Sequence, residues 1–106
     1  MKTYKLKYFT NGWIVGDFVP SIIRTKDFEF LVRYYKAGDK DAKHVHKVAD
    51  EITVIISGKF IMNGKKLSAG DVVYLPKGES SVFECIEVGA NAVIKTPSVI
   101  GDKYLL

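Results

Sequence analysis

Residues 38 to 58 read GDKDAKHVHKVADEITVIISG, and this stretch decides the fold. Both histidines of the chain, His44 and His46, fall here two positions apart. On an extended backbone their side chains leave the same face of one strand. Glu51 then opens a β-branched apolar run, Ile52, Val54, Ile55 and Ile56, which reads as a strand closing in a turn at Ser57-Gly58. If these are neighbouring antiparallel strands joined around Lys47 to Asp50, two imidazoles and one carboxylate converge on a single point.

Outward from this stretch the chain is a series of strand signals. Tyr4, Leu6 and Tyr8 alternate with Lys5 and Lys7, a half-buried strand pattern that Asn11-Gly12 interrupts with a hairpin-type turn. Trp13 to Pro20 reads as a short strand or an irregular arm. Phe28 to Lys36 is rich in β-formers and ends at Ala37-Gly38-Asp39. Lys59 to Leu67 reads as a hairpin around Asn63-Gly64, and Asp71 to Leu75 as a strand stopped by Pro76. Ser81 to Val88 and Ala92 to Thr96 supply two more strands; the tail after Pro97 is too short to assign. No stretch carries amphipathic helical periodicity, so short strands at regular spacing predict an all-β sandwich or small barrel.

A chain of 106 residues is one domain, 1–106, with a single core. Its 47% hydrophobic and 26% charged residues are those of an ordinary globular protein and exclude a disordered chain. The net charge of +4 comes from dispersed lysines, with Arg24 and Arg33 the only arginines, so no basic patch argues for nucleic acid. The single cysteine, Cys85, excludes an internal disulfide and fits a reducing compartment. Met1 to Lys7 has no apolar segment behind it, and no apolar run reaches membrane-spanning length. The expectation is a cytoplasmic protein with no membrane partner.

Gly38, His44, His46, Glu51 and Gly58 match, at every spacing, the first motif of the cupin superfamily, which the chain resembles from Gly38 to Cys85. The second cupin motif is matched by Gly70, Pro76 and Gly78, but Ser81 stands where a histidine belongs and Cys85 where an asparagine belongs. The resemblance implies a cupin-type jelly-roll β-barrel with its site inside, commonly in a homodimer. It also implies a divalent metal on three histidines and a glutamate. Carried over by position, His44, His46 and Glu51 are the candidate ligands and the fourth ligand is missing.

Two imidazoles and a carboxylate leave open positions on a metal such as Fe, Mn, Zn or Ni, which then polarises a substrate oxygen or binds dioxygen. The leading expectation is therefore a divalent-metal site acting on or binding a small organic, sugar-like molecule. Two alternatives stand beside it. In one, no metal is present and His44 and His46 are the acid and base of a sugar-nucleotide isomerase or epimerase, with Glu51 orienting one ring. In the other, the protein is a non-catalytic small-molecule-binding module. Arg33, Tyr34 and Ser81 are candidate substrate contacts; alternation sends Tyr34 to the face opposite Arg33 and Tyr35, and the sequence does not say which face is inward. Cys85 is expected to be a buried, inert thiol, Trp13 a packing or dimer anchor, and Asp50 solvated on the face opposite Glu51.

Overall fold

The computed structural model describes every residue from Met1 to Leu106. Its nine strands are β1 (Trp13–Gly16), β2 (Ile23–Arg24), β3 (Glu29–Tyr35), β4 (Lys40–Val45), β5 (Asp50–Met62), β6 (Lys65–Ser68), β7 (Val72–Leu75), β8 (Ser80–Thr96) and β9 (Tyr104–Leu105). β8 is central. One of its edges pairs with β5 from Met62↔Phe83 to Asp50↔Thr96. Along the other edge β4 pairs with its first part (Asp41↔Phe83, His44↔Ser81) and β3 with its second (Tyr35↔Gly89 to Glu29↔Lys95). β5 also carries β6 and β7. Because β5 and β8 are long and bent, their two halves belong to two facing layers, and the inward side chains of both layers enclose one interior: an all-β cupin jelly-roll.

The bend has a local cause. The register of β5 against β8 shifts at Ser57 and again at Lys59, where Gly58 crosses Gly89. Gly58 has φ +82°, and a Cβ there would lie 2.6 Å from the carbonyl oxygens of Glu87 and Val88. Only glycine permits this approach. The expected turn at Ser57-Gly58 is thus a bulge inside one strand, and the two expected strands Ser81–Val88 and Ala92–Thr96 are one strand passing through Gly89. The hairpin at Asn63-Gly64 forms as read, with both residues at positive φ (51° and 78°).

Two further expectations are corrected. Residues 4–9 are not a strand: Tyr8 N–H and Phe9 N–H donate to the carbonyls of Lys5 and Leu6 at 3.0 Å each, a single 3-10 turn that sends Phe9 into a buried position. β4 and β5 are not paired with each other; they lie on opposite edges of β8, so the two histidines and Glu51 come from different layers.

The apolar core fills the end of the barrel near the bend. Phe60 and Phe83 stack with centroids 4.9 Å apart, and Tyr35 meets each edge-on at 5.5 Å. Ile55, Met62, Leu67, Leu75 and Cys85 complete the cluster. Burying a ring such as Phe60 contributes about 1.5–3 kcal/mol, and that anchors the floor on which the polar end rests.

Candidate functional site

The rest of the interior is a cavity of about 430 Å³, lined by inward residues of both layers and covered by Trp13, Phe18 to Pro20 and the segment Val99 to Lys103. The strand register arranges it in tiers. Glu29, Lys95 and Glu51 sit side by side across β3, β8 and β5; Leu31, Val93 and Thr53 form the next tier; Arg33, Asn91 and Ile55 form the third. β4 faces them with Asp41 and His44, and His46 follows directly at its end.

Simple alternation would put Asp41 and His44, three residues apart, on opposite faces. The register of β4 on β8 shifts between them, and this bulge turns both inward. It also presents the carbonyl of Ala42 to the His44 ring, 2.7 Å from Nδ1. A carbonyl only accepts, so Nδ1 bears a hydrogen, and in the neutral tautomer the lone pair is the one on Nε2. The His46 ring lies 5.0 Å from that of His44, centroid to centroid.

Lys95 lies at the middle of this group. Its Nζ is 2.8 Å from Oε1 of Glu29, 3.4 Å from Nε2 of His46 and 5.0 Å from the centre of the Trp13 ring. Glu29 is held in turn by Ser98, whose Oγ donates to Oε2 at 2.8 Å. Burial, then the charge of Lys95, then His44 lower the pKa of His46 from 6.5 to about 4, so its ring is a neutral acceptor. Burial pushes the carboxyl of Glu51 up, with Lys95 opposing the rise.

The third tier is a second polar group. Arg33 Nη1 is 3.4 Å from Oδ1 of Asp41, and its guanidinium stacks 4.8 Å from the centre of the Tyr35 ring. Burial and then Asp41 push the Tyr35 hydroxyl up to about 12, against hydrogen bonds from Asn91 and Arg33, so it stays protonated.

The metal implied by the cupin resemblance does not fit these side chains as they are arranged. No three of the histidine, cysteine, aspartate and glutamate side chains stand close enough to share one ion. Nε2 of His46, which would have to offer its lone pair to such an ion, has the ammonium of Lys95 3.4 Å away as its neighbour instead.

Of the other sequence candidates, Arg33 and Ser81 line the cavity, Ser81 directly opposite His44. Tyr34 does not: it is 74% exposed on the outer face, because Glu29, Leu31, Arg33 and Tyr35 take the inward positions of β3. Trp13 lines the cavity mouth under Lys95 and meets Phe18 edge-on at 6.2 Å. Cys85 belongs to the core, where burial pushes its thiol up and Sγ donates to the carbonyl of Glu87. Asp50 does point away from Glu51, but it accepts the Lys77 N–H at 2.9 Å rather than standing free in solvent.

Sequence reading missed Glu29, Asp41, Asn91 and Lys95. Glu29 and Lys95 did leave a signal, each being a single charge inside an apolar strand, between Phe28 and Phe30 and beside Val93 and Ile94. Asp41 was hidden by the bulge.

No protein-family model and no curated protein matches this sequence. Solved structures do. The chain superposes on the DMSP lyase DddQ of Ruegeria pomeroyi with a TM-score of 0.72 and 23% identity, over 88% of this chain and 49% of that one, so it spans about half of DddQ. An uncharacterised conserved protein with a double-stranded β-helix domain from Klebsiella pneumoniae aligns over 99% of this chain and 96% of its own, with a TM-score of 0.71 and 22% identity. An RmlC-like cupin from Shewanella frigidimarina aligns over 72% and 71%, at 0.67 and 20%. At these identities the likeness is one of fold, and the chain has the jelly-roll fold of these small cupin structures.

Proposed function

We propose that the cavity binds a small hydroxylated carbonyl compound and moves a proton at the carbon beside its carbonyl, as an isomerase or epimerase does, without a metal ion. The observation that carries this reading is the ammonium of Lys95, fixed by Glu29 and lying against His46 in the first tier. It supplies a buried positive charge where an enolate oxygen would develop its negative charge. Nε2 of His44, with Nδ1 committed to Ala42, is the base that takes the proton from carbon. Glu51, its carboxyl raised by burial, is the group that returns a proton.

The second reading, a divalent metal on His44, His46 and Glu51, is favoured by the first-motif spacing and requires Lys95 to leave His46. One experiment separates the two. Wild-type protein, Lys95→Met and His44→Gln are incubated with ketoses in deuterated buffer containing a chelator, and metal content is measured in parallel. The expected result is exchange of carbon-bound hydrogen by wild type in chelator, reduced at least about a hundredfold in either variant. Near-stoichiometric metal in wild type, together with activity lost to the chelator, would establish the metal reading instead.

We propose a homodimer through the outer face of β3, β8, β5 and β7. Two rows there, Phe30, Ile94, Ile52, Tyr74 and Val32, Ala92, Val54, Val72, carry no charge. Antiparallel sheets normally turn a polar face to water, and a two-fold pairing of this face with itself leaves no buried charge unmatched.

A further inference from the structure

Ser98 joins the cover of the cavity to the ammonium inside it. It lies two residues beyond the end of β8, is 5% exposed, and its hydroxyl makes two bonds of opposite direction. Oγ accepts the N–H of Asp17 at 2.9 Å and donates to Oε2 of Glu29 at 2.8 Å. A hydroxyl carries one hydrogen and a carboxylate none, so neither bond can reverse. Oε1 of Glu29 takes Lys95 at 2.8 Å, and the N–H of Ser98 is itself fixed to the Lys26 carbonyl at 2.9 Å. One file of hydrogen bonds thus runs from Asp17 through Ser98 and Glu29 to the ammonium beside His46. A carboxylate held on one oxygen only is free to swing about its last bond, and a lysine on its flexible four-carbon stem follows it. A second contact closes the same circuit. Phe18, next in the chain after Asp17, meets Trp13 edge-on at 6.2 Å, and the Trp13 ring centre lies 5.0 Å from Nζ of Lys95. Lifting residues 17–20 from the cavity mouth takes the N–H from Ser98 and the Phe18 ring from Trp13 together.

From this we infer that Ser98 is a positioning residue that couples the arm over the cavity, Asp17 to Pro20, to the ammonium of Lys95. The ammonium is held against His46 while the arm is down and is released when the arm lifts. The advantage is electrostatic, because a fixed charge acts more strongly on a ligand once the arm has excluded water from it. The use of that charge in a reaction rests on the function proposed above; the coupling itself does not.

The test reads the two ends of the file separately in wild type, Ser98→Ala, Ser98→Thr and Phe18→Ala, at one pH and without ligand. Trp13 is the chain's only tryptophan, so acrylamide quenching of its emission reports whether the arm is down. Trace acetylation with acetic anhydride, located by mass spectrometry and measured against the exposed Lys2, reports how firmly Lys95 is held. Ser98→Ala should raise the labelling of Lys95 at least about tenfold, as expected for the loss of one hydrogen bond to a charged group, and should raise the quenching of Trp13. Ser98→Thr keeps the hydroxyl and should restore both. Phe18→Ala leaves Ser98 and Glu29 in place and should also raise both, and it decides the question if Ser98→Ala does not fold. Labelling of Lys95 at the wild-type rate in Ser98→Ala or in Phe18→Ala, or an increase that Ser98→Thr fails to reverse, would overturn the inference. In the ketose exchange assay Ser98→Ala should lower kcat about tenfold with KM within about twofold. If wild type exchanges no carbon-bound hydrogen while the labelling follows the expected pattern, the catalytic reading falls and the coupling stands.

Discussion

Asp102 stabilises the covering segment through a contact whose removal can be sized. Its carboxylate, 5% exposed, accepts the N–H groups of three successive residues: Lys47 at 2.8 Å, Val48 at 3.2 Å to both oxygens, and Ala49 at 2.9 Å. This pins residues 99–103 to the loop directly after His46. Bonds to a charged group contribute about 1.5–3 kcal/mol, but Lys47 and Val48 are exposed, so only the buried Ala49 N–H stays unpaired when the carboxylate is removed. Asp102→Ala is therefore expected to cost about 3 kcal/mol, and Asp102→Asn, which keeps one acceptor without charge, about half of that. For a domain of this length 3 kcal/mol is a fall of about 12 °C in Tm. Burial alone would raise the pKa of Asp102, but the three N–H groups hold it below its ordinary 3.8. A depressed folded value means the contribution is complete above about pH 4 and is lost as pH falls through the folded value. Calorimetry of wild type and Asp102→Asn from pH 7 to pH 2.5 should show a gap in Tm that is constant down to about pH 4 and narrows below it. An unchanged Tm in Asp102→Ala, or a gap independent of pH, would refute the reasoning.

Gly58→Ala should destabilise the barrel by at least about 3 kcal/mol, because a left-handed backbone and a backbone clash coincide there; a shift in the urea midpoint worth less than about 1 kcal/mol counts against the bulge. Cys85 should resist thiol reagents in the native protein and react only as fast as the barrel unfolds, being wholly inaccessible with its thiol pushed up; rapid labelling would show an open core. Ile52→Lys, on the uncharged outer face, should convert a dimer to a monomer in sedimentation with Tm lowered and ligand binding retained; an unchanged sedimentation coefficient would remove the proposed interface.

The barrel was legible because its signals are local. Gly38, Gly58, Gly70 and Gly78 all take positive φ, and each stands where a strand turns or crosses another. The histidines were legible for the same reason, two residues apart on one strand. What stayed hidden depends on register. Lys95 reaches His46 only because β8 lies beside β3 and β5, and no spacing along the chain states that pairing. The inward turn of Asp41 depends on a one-residue bulge, which inverts every inference drawn from alternation. The expected strand at residues 4–9 failed from the opposite cause, since alternation was present but no partner strand was there to pair with.

The central position of β8 has a consequence for how the barrel is made. Every layer waits for one strand: β3, β4 and β5 pair with it, yet it begins at Ser80, and its partners Glu29 and Lys95 are 66 residues apart in the chain. While a ribosome is still making that strand, β5 can pair with β6 and β7 but β3 and β4 lack their β8 partner and the barrel cannot close, so their apolar edges stand open to other chains. Most contacts join distant residues, so folding should be slow for the size of the chain, and the nascent protein should need shielding until Thr96 has emerged.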